Sequence, residues 1–214
     1  MKITMNILFG LWVLMGVAAA GSTFLLDNEG WTVNQGFNKD LTKGYAKDAK
    51  HYQYNTGNLN RYITGKDAIV NVDWKHKDDA DLWYFVSPPS LDKPVGKGPY
   101  AITFSMSSFM GDFKKVNAGT KERAVILRSV ASTTTPSTEL WVSMPTEYDG
   151  TEQTFWIPLI GATTRKKGED GRLSRVSDRD IQKVIENLKE IAILGDWTQG
   201  IEMIGLDDVA IEAM

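Results

Sequence analysis

The chain of 214 residues has no cysteine and only two histidines, His51 and His76. No disulfide can staple it, thiolate zinc sites are excluded, and two isolated imidazoles do not make a histidine-rich centre. No Asn-x-Ser/Thr triplet occurs, so no N-glycan is expected. Basic residues are outnumbered, 24 against 27 acidic, which argues against a nucleic acid or an anionic membrane as partner. The signatures G-x-S-x-G, H-E-x-x-H and the P-loop are missing. Gly96 to Ala101 loosely matches G-x-G-x-x-A, yet it leads into a strand pattern and Pro99 removes an amide that a phosphate would need, so a phosphate cradle is excluded too.

Only one long apolar run is present. Lys2 gives a short basic start, Ile7 to Ala18 an apolar core and Ala18-Ala19-Ala20 a small-residue cleavage site, which together predict a secretory signal peptide over residues 1–20. The run is short for a bilayer span and no second one follows, so no stable membrane insertion is expected after cleavage. Residues 21–214 then form one domain, secreted to the extracellular space, with net charge near −4. Without disulfides it must hold by core packing, and about 190 residues are enough for that.

Alternation and turn residues predict the fold. Trp83-Tyr84-Phe85-Val86 is aromatic and β-branched, as strands prefer, and Pro88-Pro89 stops its pairing because neither proline donates an amide. From Tyr100 to Met106, Tyr, Ile, Phe and Met alternate with Ala, Thr and Ser, marking a strand with one buried face. Further strands are expected at Ser22–Leu26, Tyr62–Gly65, Ala68–Val72, Ala124–Val130, Glu139–Met144, Gln153–Leu159, Ile191–Leu194 and Leu206–Ile211. Pro158 favours an edge. Ile181, Val184, Ile185 and Leu188 fall at i, i+3, i+4 and i+7 behind a Ser177/Asp180 capping box, so one short amphipathic helix lies against the sheets. Arg165-Lys166-Lys167 reads as a solvated loop tip. Many strands against one helix make an all-β antiparallel β-sandwich.

A family becomes visible at the C-terminus. The helix at Asp180–Leu188, the strand ending Ile193-Leu194-Gly195-Asp196-Trp197, and Gly205-Leu206-Asp207-Asp208-Val209-Ala210-Ile211 resemble the end of laminin B domains, also called laminin IV type A. Trp83-Tyr84-Phe85-Val86-Ser87-Pro88 resembles that family's W-Y-F-x-A-P, Gly98 to Phe104 its Y-G-G-x-L-x-F, and Gly30-Trp31 keeps the order. Ser90-Leu91-Asp92-Lys93 departs from the family's F-L-G-D turn, and the cysteine-rich modules that flank the domain in laminins are absent from this chain. The resemblance implies a galactose-binding-like jelly roll and a stand-alone extracellular module, with an extracellular glycan or a matrix protein as partner.

Candidate sites follow from residue type and position. Asp27 and Glu29 border the first strand, and Asp207-Asp208 lies on the last. A jelly roll that pairs its terminal strands would gather these four carboxylates, a donor set suited to structural Ca²⁺. Trp74 and Trp197, beside charged or Thr/Gln/Gly turns, are the candidate stacking rings for a sugar, whereas Trp31, Trp83, Trp141 and Trp156 sit inside strand patterns and are expected in the core. No catalytic set emerges, so the expected role is non-catalytic: an adhesion or structural component of the matrix or cell surface that recognises glycans. The alternative is a carbohydrate-active enzyme, which Asp78, Asp79 and Asp81 would have to serve, or an accessory carbohydrate-binding module.

Overall fold

The computed structural model describes residues 20–24, 27–35, 39–40, 50–53, 61–67, 82–89, 94, 97–115, 120–130, 137–168, 171–198 and 200–214. The expected signal peptide, the strand at Ala68–Val72, Trp74 and the three acids Asp78, Asp79 and Asp81 fall wholly or almost wholly outside them. Among the described residues no helix is long and apolar enough to cross a membrane.

The described strands form two antiparallel sheets. In chain order they are β1 (Ala20–Ser22), β2 (Thr32–Gln35), β3 (Lys39–Asp40), β4 (Lys50–Gln53), β5 (Arg61–Asp67), β6 (Trp83–Val86) and β7 (Tyr100–Met110). There follow β8 (Val125–Ser129), β9 (Glu139–Val142), β10 (Gln153–Leu159), β11 (Thr164–Lys167), β12 (Leu173–Arg175), helix α1 (Asp178–Glu186), β13 (Leu188–Leu194) and β14 (Glu202–Ala213). A six-stranded sheet has the order β10-β7-β14-β5-β4, with β1 also paired to β14. The eight-stranded sheet runs β12-β11-β9-β8-β13-β6-β2-β3. This is the antiparallel β-sandwich of jelly-roll type expected from the alternation.

Period two decides what lies between the sheets. Ile102, Phe104 and Met106 of β7 and Phe155, Ile157 and Leu159 of β10 turn inward, to meet Val125, Leu127, Leu140, Val142, Ile191 and Ile193 in one core. Pro158 sits on β10, an edge strand, where a missing amide costs no ladder bond to a second neighbour. β6 stops at Val86, before the two prolines. There Ser87 replaces a backbone partner, its hydroxyl accepting the amide of Ile191 at 2.8 Å. The helix begins where its cap predicts: Ser177 Oγ accepts the Asp180 amide at 3.2 Å and donates to Asp180 Oδ2 at 2.6 Å. That hydrogen bond holds the Asp180 carboxyl below the usual carboxylate range.

Two expectations are corrected here. Arg165-Lys166-Lys167 is no loop tip: it belongs to β11, paired with β9 and β12, and the Gly171 amide donates to the Gly168 carbonyl at 3.0 Å beyond it. Trp156 is not in the core. With Phe155 and Ile157 inward, alternation forces its ring outward, and it is 54% exposed.

Trp83 holds the centre of the sandwich. A Cβ on Gly195 would come within 1.9 Å of its ring and one on Gly65 within 2.3 Å, so both backbones can lie against the indole only as glycine. Its Nε1 reaches Glu202 Oε1 at 3.3 Å, and the fully buried Glu202 carboxylate also accepts the amides of Trp197 and Thr198 at 3.0–3.1 Å and the Thr198 hydroxyl at 3.2 Å. Glu202→Ala would strand these buried donors and is expected to cost about 3 kcal/mol or more in denaturant unfolding. Gly195→Ala should cost about 2 kcal/mol by overpacking.

Candidate functional site

The terminal strands pair as the sequence anticipates. β1 runs antiparallel to the second half of β14, with Ser22 opposite Val209, and this places the Asp27–Glu29 turn within electrostatic reach of Asp207. The turn is closed by its own acids: Asp27 Oδ1 accepts the Glu29 amide at 2.7 Å, and Glu29 Oε1 accepts the Phe24 amide at 2.8 Å. Asp207 Oδ1 accepts the Asp208 amide at 2.9 Å. Phe24, Glu29 and Asp208 all have left-handed backbones, with φ of 47°, 48° and 48°, and Asp208 sits in the irregularity of β14 between Asp207 and Ala210. The carboxylates are therefore neighbours, each engaged with an amide or facing solvent. Among the described residues no group of three acids or imidazoles is placed as a metal site would need.

Burial pushes the Asp207 carboxyl up to about 7, and the charges of Asp208, Glu29 and Glu152 add to the effect. The folded chain thus keeps this proton well above the pH at which an unfolded aspartate releases it. Its contribution to stability is fullest below the unfolded value and is lost as pH rises through the folded one. Asp207→Asn, which cannot ionise, should match the wild type in melting temperature at about pH 4 and exceed it by several degrees at about pH 8.

The two tryptophans singled out as stacking rings fare differently. Trp74 lies outside the described residues. Trp197 is fully buried, its Nε1 donates to the Leu194 carbonyl at 2.9 Å and its ring meets Tyr148 edge-on at 5.5 Å. It is a core residue with no face for a ligand; the polar turn beside it is folded inward by Glu202.

Trp156, by contrast, is exposed. The strand register sets its surroundings on the outer face of the six-stranded sheet. Trp156 of β10 lies opposite Thr103 of β7, which lies opposite Ala210 of β14. One step along, Thr154 faces Ser105 and Ser105 faces Asp207; the hydroxyls of Ser105 and Thr154 are 2.8 Å apart. Next, Ser107 lies opposite Gly205, and Gly205 opposite Thr64. Gly205 is a close approach: a Cβ there would come within 2.6 Å of the Phe109 ring, which meets Tyr62 edge-to-face at 5.7 Å. An exposed indole at the sheet edge thus adjoins a strip of hydroxyls with one carboxylate, and an aromatic pair stands beyond. The sequence signal was the parity of Gln153–Leu159, which places Trp156 outward once Phe155 and Ile157 are inward.

The two sheets define the class: an antiparallel β-sandwich of jelly-roll type. No family model matches the chain, and no curated protein matches it. Among solved structures, the L4b domain of human laminin alpha-2 is similar over 93% of this chain and 99% of its own, with 12% identity and a TM-score of 0.57. A family 11 carbohydrate-binding module from Clostridium thermocellum, in complex with a β-1,3-1,4-mixed-linked tetrasaccharide, is similar over 92% of this chain and 98% of its own, with 14% identity and a TM-score of 0.50. At such identities the likeness is one of fold, the laminin IV type A and carbohydrate-binding jelly roll that the sequence motifs implied.

Proposed function

We propose that this chain is a secreted, non-catalytic glycan-binding module, acting as an adhesion or structural component outside the cell. The observation that carries the reading is Trp156, a large ring more than half exposed on a strand whose neighbours are locked in the core. A planar apolar ring stacks on the face of a pyranose, and the hydroxyls of Thr103, across on β7, of Thr154, two residues along β10, and of Ser105, opposite Thr154, lie beside it to meet the hydroxyls of the sugar. A rigid strand keeps this arrangement in place before the ligand arrives, which lowers the ordering cost of binding. The laminin-like fold and the expected signal peptide support an extracellular setting, and the tetrasaccharide held by the C. thermocellum module supports the ligand class. Trp74, beyond the described residues, is the second candidate ring.

Titration of intrinsic fluorescence with neutral oligosaccharides, following a glycan-array screen, tests the reading. Trp156→Ala should weaken binding about tenfold or more with an unchanged melting temperature, because a ring exposed on an edge strand contributes little to the core. Trp197→Ala should instead unfold the protein. Incubation with the bound polysaccharide should release no reducing ends. An array on which no glycan binds, or a Trp156→Ala variant that binds as the wild type does, would refute the assignment of this face.

A further inference from the structure

Charge is segregated along the chain. Residues 165–183 carry seven basic side chains against four acidic, whereas the whole chain has a net charge of −3. Five of the seven lie on the β11–β12 hairpin that ends the eight-stranded sheet, and the other two on the helix after it, whose Asp180 is within electrostatic reach of Lys166. Arg165 lies directly opposite Arg175 across the hairpin, a like-charge pairing that destabilises a sheet. The conflict is only half relieved. Arg165 turns its guanidinium back onto the carbonyls of Gly161 and Thr164, while Arg175 is exposed and makes no ion pair among the described residues. Lys167 is held by Glu139 at 3.9 Å and over the Trp141 ring at 4.4 Å, and Lys183 pairs with Asp180 at 4.0 Å; Lys166, Arg172, Arg179 and Lys183 are exposed.

We infer that this edge is a second binding surface, for a linear polyanionic polysaccharide carrying sulfate or carboxylate groups. Arg165, Lys167 and Arg175 lie on one face of the hairpin and Lys166 on the other, so the edge offers cations on both faces to a chain with regularly repeated negative charge. An anion bound at Arg175, the member of the pair whose guanidinium is exposed, offsets the like charge of Arg165 across the hairpin. A bilayer surface fits less well, because surface-seated segments bury an apolar helix face, and here Leu173 is the one large apolar side chain exposed on the hairpin. The site lies on the sheet opposite to Trp156 and does not depend on it.

The full chain tested on immobilised heparin, with neutral dextran as the blank, decides the matter. Wild type should be retained at about physiological salt and released as salt screens the contacts. Lys166→Gln/Arg175→Gln should bind heparin about fivefold to tenfold more weakly in solution, whereas Lys66→Gln/Lys114→Gln, an equal change of net charge at exposed sites elsewhere, should stay within about twofold. Lys166→Gln/Arg175→Gln should melt no lower than the wild type, since it loses a like-charge pair, Lys66→Gln/Lys114→Gln should match the wild type, and Trp156→Ala should keep full heparin affinity. Equal losses in the two double variants, no retention of the wild type at physiological salt, or binding to phosphatidylserine vesicles or duplex DNA without binding to heparin would each overturn the proposal.

Discussion

The buried carboxylate of Glu202 is the interaction on which the rest depends. It stands on β14 in one sheet and accepts hydrogen bonds from Trp83 on β6 in the other and from the Trp197–Thr198 turn that follows β13. A charge at zero exposure is costly to desolvate, and several donors aimed at it are what make it tolerable. The same donors fix the crossing from one sheet to the other and so fix the register of β14. That strand is the spine of the six-stranded sheet, hydrogen-bonded to β7 on one side and to β5 and β1 in succession on the other.

From that register the functional face follows. Ile204 and Leu206 turn inward, so Gly205 and Asp207 turn outward, opposite Ser107 and Ser105. The irregularity after Asp207 restores the inward direction at Val209 and Ile211 and lets β1 pair alongside. It also leaves Asp207 among other acids at low exposure, where its proton is held up to about pH 7. The carboxyl is thus neutral over the acidic range and ionised above it, a property of the face set by strand geometry.

The two faces of the sandwich have different chemistry because their edges differ. At the β10 edge, charged side chains give way to an indole and hydroxyls, which suit a neutral sugar. At the β12 edge, arginine opposes arginine, and charge of one sign collects beyond the paired Arg128, Glu139 and Glu190. Exposed cations at a sheet edge also discourage edge-to-edge association of sheets.

Much of this was legible in the sequence. Local rules act on neighbours in the chain, so alternation located Trp83–Val86, Tyr100–Met106 and Gln153–Leu159, the prolines marked where β6 stops, and Ser177 with Asp180 marked the helix start. The motifs at Gly30-Trp31, Trp83 to Phe104 and Gly205 to Ile211 pointed to the jelly roll shared with the laminin alpha-2 domain. The tertiary structure decided the rest. Trp197, beside polar residues, looks exposed until Glu202, five positions on, draws that turn into the core; Trp156, inside a strand pattern, looks buried until Phe155 and Ile157 prove to face the core and leave its ring more than half exposed. The three basic residues at 165–167 look like a solvated tip until β12 pairs with them. In each case the deciding partner lies on another element or on the far side of a turn. Sequence by itself determined which residues form strands and which way they alternate, because that depends on chain geometry. Only the tertiary structure decided which outward faces stay open, because that depends on what distant segments cover.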